Sequence, residues 1–393
     1  MRNRLALAQL SSAVRRKGAL AICLALCTLV LDISASAQGP TITKFDAPGA
    51  GTGAGQGTFG IGINPDGTIA GAYTDASGVN HGFLRAPDGT FTTFDAPGAG
   101  IGPTQGTFVA GVGAITPAGA IAGTYTDGSG VNHGFLRSPH GTFTSIDVPG
   151  AGTGPGQGTS AEDINPEGLI AGEYSDASNV FHGFVRTEDG TITTLDVPGA
   201  GTGPGQGTFV ASVEGLTPAG ALAGFYTDAS GVNHGYVRAP HGAITKFDVP
   251  GAGTGPGQGT YVGGINPEGM VMSTYLDPSN TFHGYVRAPD GAITTFDILG
   301  VGTGPGQGTV PEAINTRGTV TGNYVDASGV NHGFIRAHHG AITVFDVPGA
   351  GTGPGQGTVP FCNNPVDAIT GWEIDANGVS HGFLRLADRE WDR

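Results

Sequence analysis

"GTFGIGINPDGTIAGAYTDASGVNHGFLRAPDGTFTTFD", residues 57–95, contains four short β-prone runs separated by three tight turns. The runs are 57–64, 68–75, 80–85 and 90–95. Asn64-Pro65-Asp66-Gly67 has proline and glycine where a type I turn prefers them, and Ala86-Pro87-Asp88-Gly89 repeats that chemistry. The turn at 75–78 ends on a position held across the chain by Gly78, Gly130, Asn179, Gly231, Asn280, Gly329 and Gly378. Only Gly and Asn occur there, as at a residue held at positive φ. Three hairpins in a row give four consecutive antiparallel strands.

The whole stretch recurs. The motif His-Gly-(Phe/Tyr)-x-Arg starts at His81, His133, His182, His234, His283, His332 and His381, at intervals of 52, 49, 52, 49, 49 and 49 residues. Both longer intervals come from the same insertion, read in "VAGVGAITPAG" and "VASVEGLTPAG" against "GIGINPDG". Units of this length with four strands are the sequence signature of propeller blades. The one long connection is a glycine-rich loop, "GAGTGPGQGT" at 150–159 and its relatives, which would carry the chain from one blade to the next. The glycine spacing fits neither a dinucleotide loop nor collagen. The predicted fold is therefore all-β: a seven-bladed β-propeller, four antiparallel strands per blade. Its last blade, about 357–386, lacks an outer strand, which "TITKFD" at 41–46 supplies.

The first 37 residues are of another kind. A basic start (Arg2, Arg4, Arg15, Arg16, Lys17), an apolar run from Ala19 to Leu31 and Ala35-Ser36-Ala37 read as a signal peptide cleaved before Gln38. The domain is then 38–393, and its expected location is secreted, periplasmic or extracellular. Without the leader the chain has 12 basic and 31 acidic groups, a net charge of −19. That balance disfavours nucleic acid and anionic lipid as partners. Cys23 and Cys27 depart with the leader, and Cys362 reads as a buried apolar residue. No membrane anchor follows, and a monomer is expected.

The pattern "GIN…G.IAG.Y.D.SG..HGF" resembles the extracellular repeat family named for its His-Ala-Phe (HAF) triplet, over essentially all of 41–388. The triplet here is the variant His-Gly-Phe or His-Gly-Tyr. The resemblance implies an exported repeat protein with no established catalytic residues.

The seven motif histidines are spaced too widely around a ring to share one ion, so each is expected to hydrogen-bond within its own unit. The motif arginines, Arg85, Arg137, Arg186, Arg238, Arg287, Arg336 and Arg385, are expected to pair with aspartates such as Asp46 and Asp95. No metal and no cofactor is expected. Sites in symmetric repeats are better sought where symmetry breaks, and Glu162, Asp163, Glu214 and Glu312 replace small or apolar residues on inner strands. These are expected to reach water in the central channel, since burial without a partner is costly. Every glycine loop also keeps a glutamine: Gln56, Gln105, Gln157, Gln206, Gln258, Gln307 and Gln356. They are candidates for a ring of amides at one channel mouth, suited to hydroxyl-rich ligands, or for simple loop ties. The favoured function is a secreted recognition or scaffold module that binds a glycan, small molecule or protein. The alternative is a polysaccharide-active hydrolase or lyase using the channel carboxylates.

Overall fold

The computed structural model describes residues 41–109, 115–211 and 215–387. The leader and Glu214 lie outside them. Among the described residues there are 29 strands and no helix. Each repeat forms four antiparallel strands in sequence order. In unit one they are Gly57–Ile63, Ile69–Thr74, Asn80–Arg85 and Phe91–Phe94. The fourth strand of unit seven is Ile42–Phe45, which pairs antiparallel with Ser380–Arg385.

The expected seven-bladed propeller is overturned by how the units join. The third strand of each unit pairs in parallel with the first strand of the next, at Asn80↔Gly106, Asn132↔Gly158, Phe181↔Gly207, Asn233↔Gly259, Phe282↔Gly308, Asn331↔Gly357 and Ser380↔Gly57. The repeats are thus not separate four-stranded blades. First, second and third strands run around the molecule as a closed barrel of 21 strands, and each short fourth strand hangs on a third strand. The physical reason lies in one glycine per unit. Gly57 has φ +119°, and a Cβ there would fall 2.0 Å from the carbonyl oxygen of Ser380. Only glycine lets the two backbones come close enough to bridge.

The second strands are buried along nearly their whole length. Ile69, Phe83 and their counterparts, such as Ile121, Phe135, Ile170 and Phe184, are inaccessible to solvent or nearly so and fill the space between neighbouring units. The threonine after each bridging glycine is fully buried too. Thr58 Oγ1 accepts the N–H of Ala47 at 2.9 Å, and the same bond recurs in all seven units. It fixes where each glycine loop begins.

The seven motif arginines were expected on aspartates nearby; the structure gives those aspartates to histidine instead. His81 Nδ1 lies 2.9 Å from Asp95 Oδ1, and His381 Nδ1 lies 2.8 Å from Asp46 Oδ1. Five of the guanidinium groups lie over a fourth-strand phenylalanine of the preceding unit, a position that Ile146 and Leu195 fill before Arg186 and Arg238. Arg85 lies 4.9 Å from the Phe45 ring centre and Arg137 4.7 Å from that of Phe94. Arg287, Arg336 and Arg385 do likewise on Phe247, Phe296 and Phe345. A cation over a ring face is attracted by its quadrupole, so these pairs tie unit to unit.

Unit seven breaks one repeated arrangement. In units one to six a tyrosine stacks on the motif histidine, as Tyr73 does on His81 with ring centres 4.9 Å apart. At the matching position unit seven has Glu373, fully buried and ion-paired with Lys44 of the N-terminal strand. Glu373 Oε2 has no hydrogen-bond partner. Lys44→Ala should therefore destabilise the protein by roughly 2 kcal/mol, less than the cost for a fully buried pair because Lys44 is half open to water. The double change Glu373→Tyr with Lys44→Thr restores the pattern of units three and five, and should recover wild-type stability in a denaturant titration. A double variant weaker than Lys44→Ala would show that the ion pair itself is needed.

Candidate functional site

The first strands of all seven units converge on one axis. At the end bearing the first-to-second-strand turns they surround a cavity of about 200 Å³, lined by residues such as Asn64, Thr116, Asn165 and Asn315. Asparagine side chains here bond around the ring. Asn165 Nδ2 donates to the Thr217 carbonyl, Asn266 to Asn315, Asn315 to Asn364, and Asn364 to Asn64, at 3.0 to 3.2 Å. These amide bonds tie neighbouring units together around the cavity.

The other end of the axis carries the glycine loops. Their glutamines fold back on their own unit. Gln56 Oε1 accepts the N–H of Gly53 at 2.9 Å, and its Nε2 donates to the Ala76 carbonyl at 3.2 Å. Gln105, Gln157, Gln206, Gln258, Gln307 and Gln356 make the equivalent two bonds. A Cβ at Gly51 would sit 2.3 Å from Gln56 Oε1, so the alternating glycines make room for the glutamine. In this geometry the glutamines clamp a loop to a turn and do not present free amides to the axis.

Three residues beyond each glutamine stands the part-exposed position of the first strand: Phe59, Phe108, Ser160, Phe209, Tyr261, Val310 and Val359. Aromatic side chains gather there in two groups. Phe181, Phe209, Phe225 and Tyr261 form a continuous run with ring centres 4.6, 4.8 and 5.1 Å apart. Trp372 contacts Phe59 at 5.5 Å and Phe361 at 5.2 Å. Phe108 is 44% exposed, too open to be serving a core. None of these was singled out in the sequence. The signal was available, since at this register most repeats carry a large apolar residue on a face the alternation leaves wet.

The structure rearranges the expected carboxylates: Asp163 lines the cavity at the turn end of the axis, and Glu173 pairs with Ser160 at the part-exposed register. Glu162 is the extra residue of a β-bulge in unit three, where pairing shifts between Ala161 and Asp163. Glu312 occupies the same bulge in unit six, between Pro311 and Ala313. A bulge re-aims a side chain that regular pairing would direct elsewhere. Glu162 interacts electrostatically not with Glu312 but with Glu173 on the second strand, a residue that reading only inner strands overlooked. Glu173 Oε2 accepts the N–H of Val210 at 3.1 Å. Burial raises the Glu162 carboxyl, and burial together with the nearby Glu162 charge raises Glu173 well above the usual range. Burial also pushes Glu312 up to about 8. Asp163 does not reach open water as expected. It is 2% exposed, its Oδ2 accepts the N–H of Leu216 at 2.9 Å, and burial pushes it up to about 7.

Among the described residues no group of three or more His, Cys, Asp or Glu is placed to hold a metal ion. No helix among them is long and apolar enough to cross a membrane.

No family model and no curated protein matches the chain. Among solved structures, the chain is similar to the BP39L lectin from Burkholderia pseudomallei, with a TM-score of 0.53 and 11% identity over 84% of this chain and 96% of that one. More distant likenesses include TolB from Acinetobacter baumannii, with a TM-score of 0.44 and 12% identity over 82% of this chain and 64% of that one. Another is the Aleuria aurantia lectin AAL, with a TM-score of 0.40 and 10% identity over 75% and 96% of the two chains. The first of these shows a shared fold and no more.

Proposed function

We propose that the protein is a secreted recognition module of the HAF-repeat kind that binds a glycan at the loop-side mouth of its axis. The observation that carries this reading is the pair of aromatic groups at the loop-side register of the first strands, where Glu173 pairs with Ser160. The C–H face of a sugar ring is apolar and slightly positive, and it stacks on the negative face of an aromatic ring. The carboxyls and the backbone of the glycine loops supply acceptors and donors for its hydroxyls, as in sites where a few polar groups orient a ligand on an apolar floor. The acidic chain fits a neutral or weakly charged ligand at this mouth. The fold shared with a lectin is compatible with this reading but does not carry it.

A glycan-array screen of residues 38–393 tests it. The expected result is retention of a defined sugar class, weakened about tenfold or more, above ~1.4 kcal/mol, by Trp372→Ala and by Phe108→Ala. Phe108 is exposed enough that its loss should leave melting unchanged. Binding that survives both changes would place the site elsewhere.

The adjacent Glu162 and Glu173 favour a second reading, a polysaccharide-active hydrolase or lyase, because carboxyls with raised pKa values beside a binding surface suit acid catalysis. The retained glycans decide between the two. Recovery intact supports binding, and fragmentation that stops in Glu162→Gln supports the enzyme.

A further inference from the structure

A second pocket lies away from the axis, between units six and seven, with a volume of about 350 Å³. Its walls include Arg317, His338 and His339 from the two turns of unit six, and Thr319, Ile335 and Thr343 from its strands. Unit seven contributes Asp367 and Arg385.

The sequence of unit six departs from its neighbours at both turns. Where units one, three and five have Asp66, Glu167 and Glu268, unit six has Arg317. Where units one, three and five have Asp88, Asp189 and Asp290, it has His339, as units two and four have His140 and His241, and it alone adds His338 in place of a proline or glutamate. An acidic corner has become the cationic Arg317, beside a turn with two histidines, on a chain whose described domain is otherwise strongly acidic. The one carboxylate present is already occupied. Asp367 accepts a hydrogen bond from Asn315 Nδ2 at 2.6 Å and one from Arg317 Nη1 at 3.3 Å. Arg385 lies over the Phe345 ring, 5.2 Å from its centre, as part of the wall. The Arg317 side chain is 51% exposed, so it has donors left over for a ligand.

We propose that this pocket binds a monosaccharide-sized sugar acid of the hexuronate class. The planar guanidinium of Arg317 presents paired N–H donors that match a carboxylate. The two imidazoles and the hydroxyls of Thr319 and Thr343 offer partners for ring hydroxyls. Ile335, Ala337 and Ala341 form an apolar wall for one face of the sugar. The volume suits one or two sugar rings and falls within the ordinary range for small-molecule sites. This site is independent of the axial mouth, and each stands if the other fails.

Calorimetric titration of residues 38–393 with galacturonate, galactose and inorganic phosphate tests the proposal. Galacturonate should bind, more weakly as salt is raised, and galactose and phosphate should each bind at least tenfold more weakly. The variant His338→Pro with His339→Asp recreates the turn of units one and five, so it should fold normally, and it should lose galacturonate at least tenfold. Arg317→Ala should do the same, while Trp372→Ala at the axial mouth should leave galacturonate binding unchanged. Absence of galacturonate binding overturns the proposal. So does equal binding of galactose or phosphate, or wild-type affinity in the restored-turn variant.

Discussion

Removing residues 41–46 is expected to lower the melting temperature by more than about 10 °C and to make the protein associate with rising concentration. The deleted strand supplies Phe45, 7% exposed, whose ring packs on Phe83 and carries the Arg85 guanidinium. Losing a buried phenylalanine costs about 3–5 kcal/mol. The same deletion leaves Glu373 without Lys44 and His381 without Asp46. It also exposes the backbone edge of Ser380–Arg385, a template for a second chain. Differential scanning fluorimetry and light scattering across a concentration series measure both effects. Unchanged melting with a monodisperse monomer would show that the N-terminal strand is dispensable.

The second large effect is on pH. Glu312, Asp163, Glu162 and Glu173 all have folded-state carboxyl pKa values above their ordinary ones, chiefly because burial disfavours the charged form. Between the ordinary value and the raised one, the folded protein holds more protons than the unfolded chain, so stability must fall as pH rises. The window opens at about 4, the ordinary carboxyl range, and extends at least to about 8, the raised value of Glu312. The turn aspartates act in the opposite sense and elsewhere. Asp127 and Asp176 are held below the usual carboxylate range, first by the N–H bonds of Val131 and Val180 respectively. Their contribution is lost only as pH drops below about 4, outside this window. Unfolding free energy should therefore be several kcal/mol larger at pH 5 than at pH 8.5, each pKa unit being worth about 1.4 kcal/mol. Glu312→Gln should flatten the profile most at its alkaline end. A stability that is level or rising from pH 5 to 8.5 would mean that water reaches these carboxyls freely.

The repeating hairpins were legible because turn chemistry is local. Asn179 and Asn280, read as sites of positive φ from the Gly/Asn alternation, have φ of 59° and 61°. The histidines pair within their units, as their spacing required. What joins the units was not legible. A single-residue bridge such as Asn80↔Gly106 leaves no periodicity, and its glycine is indistinguishable in sequence from those of the adjoining loop. The arginines were misassigned for a related reason. Their ring partners lie some 40 residues back along the chain, whereas the aspartates were near in sequence. Glu173 and Glu373 escaped notice because they break symmetry on second strands; Glu162 was singled out, but its interaction with Glu173 was not foreseen because a bulge changes where it aims.

The closure described for unit seven has a further consequence, for the order of events in folding. Asp46 and His381 are separated by 335 positions, and Lys44 and Glu373 by 329, yet they are direct partners. A strand emitted near the start of synthesis must wait for the last repeat before it can pair. Long-range closure of this kind is slow, because the entropy of bringing distant segments together is lost before their contacts form. The waiting strand is suited to the delay. It spans four residues and carries Lys44, features that make a lone strand a poor seed for aggregation. The barrel is thus completed by the oldest piece of the domain meeting the newest, and a chain halted before residue 380 would remain an open ring.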